Sequence, residues 1–279
     1  MESDIVIPIG KSLLQHGYFN DRIYLMKIHP DDINLVIRKI TYLISVYNYS
    51  KVILKIPESL KTEFQSLEAF EEARIPGFYN KHDDALFLSR YTNPERRKNG
   101  PGKKVKTTIL LSLEKSSPSS RNIQPTNIVI RRATHNDILQ ICSLFQREFE
   151  TYPFPIQESY YLRKSMDEGI RFFVGEISGT IVAAGSCEID PYAGAVEMSD
   201  LAIDVAYKGF GLSKLLLSFM EYEMKREGVN MAFTICRGEF LPVNRLFSGA
   251  GYQFGGTLIQ NTNICGQFEC MNVWYKKLG

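Results

Sequence analysis

With 279 residues, 44% hydrophobic and 23% charged, the chain has room for two domains and the composition of a globular protein that buries a sizeable core. Its apolar runs fall far short of the ~20 residues a membrane span needs, and the charges of Glu2 and Asp4 do not suit a signal peptide. A net charge of +2 argues against nucleic acid as a partner, while five cysteines without metal-type spacing and four scattered histidines predict free thiols in a reducing cytoplasm and no metal site.

In chain order, Ile23–Ile28 reads as a strand. His29-Pro-Asp-Asp then opens a helix that runs to about Asn48 on an Ile33, Val36, Ile37, Ile40, Leu43, Ile44 stripe. Val52–Ile56 is a second strand, Glu58–Ala73 a second helix, and Asp84–Tyr91 a third strand preceded by a turn at Pro76–Asn80. Arg96–Lys106, with six basic residues around Gly and Pro, reads as a solvated loop. Thr107–Leu113 reads as a further strand. Ser116–Pro125, rich in Ser, Pro and Asn, is the linker, so residues 1–122 and 123–279 are expected as separate domains. The first carries 19 Lys/Arg against 14 Asp/Glu up to residue 125; the remainder carries 14 against 17, which favours a cationic ligand for the second.

The second domain starts with the strand Ile128-Val-Ile-Arg-Arg and a helix from Asn136 to about Glu148. Tyr152-Pro-Phe-Pro155 is a rigid aromatic connection, and a short helix follows at Glu158–Met166. Phe172–Ile177 and Ile181–Asp190 form a hairpin pair. Val196–Ile203 is the next strand. It ends at Lys208-Gly-Phe-Gly211, after which Leu212, Leu215, Leu216, Phe219, Met220 and Met224 recur at helical spacing. Asn230–Cys236 is a strand, Val243–Ala250 a short helix, and Gly251 to Tyr275 a last hairpin. The strand–helix–strand–helix–strand order of the first domain copies that of residues 196–255. The first domain therefore reads as a degenerate half-copy, without a glycine loop and without a cofactor.

The turn between the strand and the long helix carries the chemistry. Gly209 and Gly211 let the backbone come close to a ligand, and the first amides of a helix have no internal acceptor, so a phosphate fits there. Leu201-Ala-Ile-Asp-Val-Ala-Tyr-Lys-Gly-Phe-Gly-Leu-Ser213 resembles the acetyl-CoA signature of the GNAT acetyltransferases, Leu-x-Val-x-Pro-x-x-Arg/Gln-x-x-Gly-x-Gly/Ala. Lys208 stands in the Arg/Gln place and Val205 in the Pro place. The resemblance implies the GNAT fold, an α/β (α+β) class with a mixed, mostly antiparallel sheet flanked by helices. It also implies acetyl-CoA as cofactor, held by Leu201, Ala202, Ile203 and the backbone of Lys208, Gly209, Phe210, Gly211, Leu212, Ser213 and Lys214. On the same resemblance Ile203 N–H binds the thioester oxygen, and Asn244 contacts the cofactor arm, although read alone Asn244 serves equally as a helix cap. Phe247 occupies the place where many members carry a tyrosine that protonates the departing thiolate. Tyr252, Tyr275 or water remain as alternatives for that proton.

A lysine-like amine has a pKa near 10.4 and must lose a proton before it attacks. The resemblance places the general base at Glu197, with Asp200 beside it. Residues three apart on a regular strand face opposite ways, and a bulge would bring both to the cleft. A narrower resemblance rests on Glu197-Met-Ser-Asp-Leu-Ala, Val243-Asn-Arg-Leu-Phe, Gly256-Thr-Leu-Ile-Gln-Asn-Thr-Asn-Ile264 and Met271-Asn-Val-Trp-Tyr-Lys276, with Gly77-Phe-Tyr-Asn80 upstream. These phrases are similar to the β-lysine N-acetyltransferases, which implies acetylation of the terminal amine of β-lysine by direct attack on the thioester. Another amine as acceptor (a polyamine, lysine or a protein lysine), and a silent acyl-CoA-binding regulator, are the alternatives. For the acceptor, Arg237, Glu239, Asn261, Thr262 and Asn263 are expected as polar contacts and Tyr152 and Phe154 as walls. A homodimer is left open.

Overall fold

Ile5–Ile9 (β1) and Ser12–Gly17 (β2) form a hairpin that the sequence did not announce, and the chain continues into Arg22–Lys27 (β3), Ile33–Tyr47 (α1) and Lys51–Pro57 (β4). The computed structural model describes residues 4–98, 100–114 and 127–279, so the linker expected at Ser116–Pro125 lies outside the described residues. A 3-10 segment, Glu58–Leu67, precedes Phe70–Tyr79 (β5), Asp83–Tyr91 (β6) and Lys103–Leu113 (α2). Then follow Ile128–Arg132 (β7), Ile138–Glu148 (α3), Ser159–Asp167 (α4), Arg171–Ile177 (β8), Thr180–Asp190 (β9) and Ala195–Ile203 (β10). The chain closes with Leu212–Arg226 (α5), Met231–Arg237 (β11), Leu241–Gly249 (α6), Gln253–Ile264 (β12) and Gln267–Lys277 (β13).

Three expectations fail here. Thr107–Leu113 is helical, not a strand: Val105, Thr108 and Ser112 are its buried residues, a spacing of three and four. The helix expected at Glu58–Ala73 is a 3-10 segment that stops where Glu68 turns left-handed, and β5 takes over through the presumed turn at Pro76–Asn80. Arg96 is buried rather than solvated.

Among the described residues the strands form one sheet in the order β1-β2-β3-β4-β6-β5-β12-β13-β11-β10-β9-β8-β7. The sheet is mixed and mostly antiparallel, with β3/β4 and β10/β11 the parallel pairs. The order β2-β3-β4-β6-β5 in one half repeats as β9-β10-β11-β13-β12 in the other. The halves meet through their equivalent edge strands, where Gly256 pairs with Ala73. One core lies under α1, built on Leu25, Val36, Ile40 and Leu54, and another under α5, built on Val196, Leu216, Met220 and Trp274. A further cluster, including Ala73, Phe87, Phe233, Leu258 and Val273, joins the halves. No helix among the described residues is long and apolar enough to cross a membrane.

The sheet curls until β3 faces β9 and β10. Lys27 marks the contact, its Nζ lying 3.1 Å from Glu188 of β9. Beyond that apolar cluster the seam turns polar. A bulge in β12 between Leu258 and Thr262, with Gln260 at φ +46°, turns carbonyls out of the ladder. Three consecutive carbonyls then accept from the N-terminal half: Ile259 from Lys51 Nζ at 2.7 Å, Gln260 from Arg96 Nε at 2.9 Å, and Asn261 from Arg22 Nη1 at 2.7 Å. Lys51 also pairs with buried Glu72 at 3.0 Å, and burial still pushes its ammonium down to about 8.

Candidate active site

The parallel pairing of β10 with β11 covers Ala195–Glu197 against Met231–Phe233, and the strands then diverge. A cavity of about 430 Å³ lies at that divergence. Its lining includes Glu197, Asp200 and Leu201 of β10, Arg237 of β11, Phe247 of α6, Asn261 and Thr262 of β12, and Tyr152 and Phe154 of the aromatic connection. The far wall comes from β2 and β3 of the N-terminal half, through Gln15, Arg22, Tyr24 and Met26. Nothing local in the sequence marked these four. They reach the site only because the sheet curls.

The register of β10 against β9 shifts between Ser199 and Ala202, and Asp200 sits in that bulge at φ +54°. Glu197 and Asp200 therefore share the cavity despite their spacing. The Asp200 carboxylate accepts from Tyr152 Oη and Ser186 Oγ, both at 2.5 Å, and from Ser199 Oγ at 3.3 Å. Burial raises its pKa against the pull of these donors. Glu197 lies opposite Glu188 of β9. Burial lifts its carboxyl to about 7; Lys55 opposes the rise, while Glu188 and Asp200 add to it. A carboxyl that titrates near neutrality beside a cavity is suited to take a proton from an amine.

Beyond β10, Gly209 and Gly211 have φ of +88° and +77°, and α5 starts at Leu212. The amides of Gly209 through Lys214 take no backbone acceptor, so a row of free donors faces outward at the positive end of a helix. Gly209, Phe210 and Lys214 are exposed, Gly211 and Ser213 half-buried, and Leu212 is buried beneath them. Glu148 of α3 braces the turn: its carboxylate accepts from Val205 N–H at 3.1 Å and from Lys208 Nζ at 2.6 Å. The Lys208 side chain is thus engaged by protein. Ala202 is buried on the β9 side, and Asp204 N–H donates to Val182 at 2.8 Å. Alternation along the ladder aims the intervening Ile203 N–H the other way, into the gap between β10 and β11.

Three of the expected contacts are placed elsewhere. Asn244 is fully buried and committed: its Nδ2 donates to the carbonyls of Arg237 and Phe240, and its Oδ1 accepts from Asn272 Nδ2 and Trp274 Nε1. It has nothing left for a cofactor arm. Glu239 lies outside the cavity and pairs with Lys104 of α2 at 2.8 Å. Asn263 ties the β12–β13 turn to the N-terminal half, donating through Nδ2 to Phe19 O and accepting from Gly266 N–H. Arg237 lines the cavity, but Glu269 holds its guanidinium at 2.6 and 2.9 Å. Phe247 is buried against the edge of Tyr252. Neither Tyr252 nor Tyr275, whose hydroxyl donates to Gln253, lines the cavity.

A loop of free amides on a helix, leading from splayed parallel strands to an elevated carboxyl, suits an anionic ligand bound next to a proton-accepting group. The model of the acetyltransferase (GNAT) family matches residues 138–252. A β-lysine N(6)-acetyltransferase of Methanococcus maripaludis is 34% identical over 97% of this chain and 98% of its own length. The N-acetyltransferase YodP of Bacillus subtilis is 27% identical over 96% of each chain. A β-lysine N(6)-acetyltransferase of Methanosarcina mazei is 29% identical over 75% of this chain and 76% of its own. The chain belongs to the GNAT acetyltransferase family: it is an N-acetyltransferase that draws on acetyl-CoA.

Proposed function

We propose that this enzyme acetylates the terminal (N6) amine of β-lysine by direct transfer. The relatives named for that reaction support the acceptor. The observation that carries the mechanism is the placement of Glu197 in the cavity at the point where β10 and β11 part. The free amides of Gly209–Lys214 fit the diphosphate of coenzyme A, and the bound thioester supplies the activated acetyl group. Glu197 takes the proton of the incoming ammonium, directly or through a water. The Ile203 N–H, turned into the strand gap, would be the donor available to the thioester oxygen of a bound acetyl-CoA. Asp200, held by three hydroxyls, fixes the bulge that carries both carboxylates inward. Phe247 offers no proton, so no side chain at that place would protonate the departing thiolate, and water would be the remaining donor.

The N-terminal half is read as a half-module of the same design that has lost its glycine loop; the repeated strand order supports this. Its cores and seam make it part of the working enzyme rather than an appendage. The protein is read as cytoplasmic, in keeping with five free cysteines, four of them buried. Following thiol release from acetyl-CoA with β-lysine, α-lysine and spermidine tests the function. Fastest release with β-lysine is expected. Preference for spermidine or α-lysine would replace the acceptor, and stabilisation by coenzyme A without release from any amine would make the protein a binding regulator.

A further inference from the structure

The cavity has two arginines, and they are in opposite states. Arg237 is neutralised by Glu269. Arg22, 4% exposed, donates to three neutral acceptors: Asn261 O at 2.7 Å, Thr262 Oγ1 at 3.2 Å and Gln15 Oε1 at 3.0 Å. Of the five N–H groups of a guanidinium, the one on Nε and one on Nη2 are left over, and Nε is buried without a partner. Gln15, fully buried on the neighbouring strand, leaves its Nε2 unpartnered, and Asn261 does the same with Oδ1. Three side chains lining one cavity thus hold unused hydrogen-bonding atoms, two donors and one acceptor, around a buried cation that no anion touches, Asp4 and Glu197 acting on it only from beyond contact.

Such an arrangement is unfavourable as it stands. A buried charge without a counter-charge and a buried donor without an acceptor each destabilise a fold, and a ligand that completes them is strongly favoured. The missing partner is a carboxylate: planar, anionic and matched to guanidinium donors. We propose that Arg22 and Gln15 of the N-terminal half bind the carboxylate of the acceptor, with Asn261 Oδ1 accepting from its 3-ammonium. The inference rests on the β-lysine reading and deepens it. The half that lacks a cofactor loop becomes the half that selects the amine, holding one end of the acceptor while Glu197 receives the other.

The test compares β-lysine with 1,4-diaminopentane, the same diamine without the carboxylate, in wild type, Arg22→Gln and Gln15→Leu. Wild type is expected to favour β-lysine by roughly 100-fold or more in kcat/KM, as a site built to hydrogen-bond a group rejects its absence. Arg22→Gln should remove most of that preference, mainly by raising KM for β-lysine, and change turnover of the diamine by less than about 3-fold. Gln15→Leu should reduce the preference by about 10-fold. Stabilisation by coenzyme A should be the same in all three proteins. If Arg22→Gln does not fold, Gln15→Leu decides, because the Gln15 side chain contacts only Arg22 through its polar atoms. An unchanged preference, or equal losses on both amines, would overturn the inference while leaving the acetyltransferase reading intact. No turnover of β-lysine by wild type would remove the β-lysine reading and the inference with it.

Discussion

The hydroxyl of Tyr152 donates to Oδ1 of Asp200 at 2.5 Å, joining the aromatic connection after α3 to the bulge of β10. Two elements 48 residues apart in sequence are pinned at the point where the cavity opens. Tyr152→Phe leaves the packing of the ring against Phe149 in place and removes one donor from a buried carboxylate. The expected loss is about 1–3 kcal/mol of stability, read as a lower denaturation midpoint with an unchanged slope. An unaltered midpoint would mean that Asp200 does not depend on this bond.

As the proposed base, Glu197 should set the pH behaviour of catalysis. With a carboxyl near 7, kcat/KM should fall as pH drops below that value. Glu197→Gln should lower kcat by about 10²–10⁴-fold at pH 7. The deficit should shrink toward pH 10, where the amine sheds its own proton. A pH–rate profile of the same shape in both proteins would exclude Glu197 as the base.

The same residue leaves a mark on stability. Its carboxyl rises from an ordinary 4.5 to about 7 on folding, so the folded state binds the proton more tightly. The resulting stabilisation is complete below pH 4.5 and is lost as pH climbs through 7. Glu197→Gln is free of this loss. Relative to wild type, its melting temperature should gain about 2–6 °C between pH 4.5 and 8. Parallel Tm curves for the two proteins across that window would contradict the sign.

At the glycine loop, Gly211 has φ +77°, a conformation that a β-branched residue adopts only with strain. Gly211→Val should weaken coenzyme A binding by at least about 10-fold in calorimetry, with β-lysine binding little affected. Wild-type affinity for the coenzyme would place the diphosphate elsewhere.

At the seam, a Cβ on Gly256 would stand 2.3 Å from Glu72 O and 2.6 Å from Ala73 Cα. Both are backbone atoms of the opposing strand. Gly256→Ala should therefore lower stability by about 2 kcal/mol or more, visible in a thermal scan. A neutral result would show that the seam yields without loss.

What could be read in advance was local. The helix after Gly211 is legible from its apolar spacing, whereas the loop of Gly209 and Gly211 and the bulge near Asp200 are legible through the family resemblance carried by the same stretch of about thirty residues. The far wall was not. Arg22 and Asn261 are 239 residues apart, and no periodicity connects them. Thr107–Leu113 misled for another reason: its Thr, Ile and Leu residues favour a strand, but tertiary packing of every third or fourth residue outweighs that preference. Asn244 was seen as polar near the cofactor, whereas four partners on β11, β13 and the start of α6 had already claimed it.

Three cations of the N-terminal half, Lys51, Arg96 and Arg22, meet carbonyls that lie 208, 164 and 239 positions later. During synthesis on the ribosome, the first half emerges with these charges facing water, and their acceptors do not yet exist. The glycine loop is translated earlier than β12, so of the residues proposed to hold the two substrates Asn261 is made last. Dividing the gene between the halves would not yield a binder and a catalyst, because each fragment would lack the groups that discharge the other's seam.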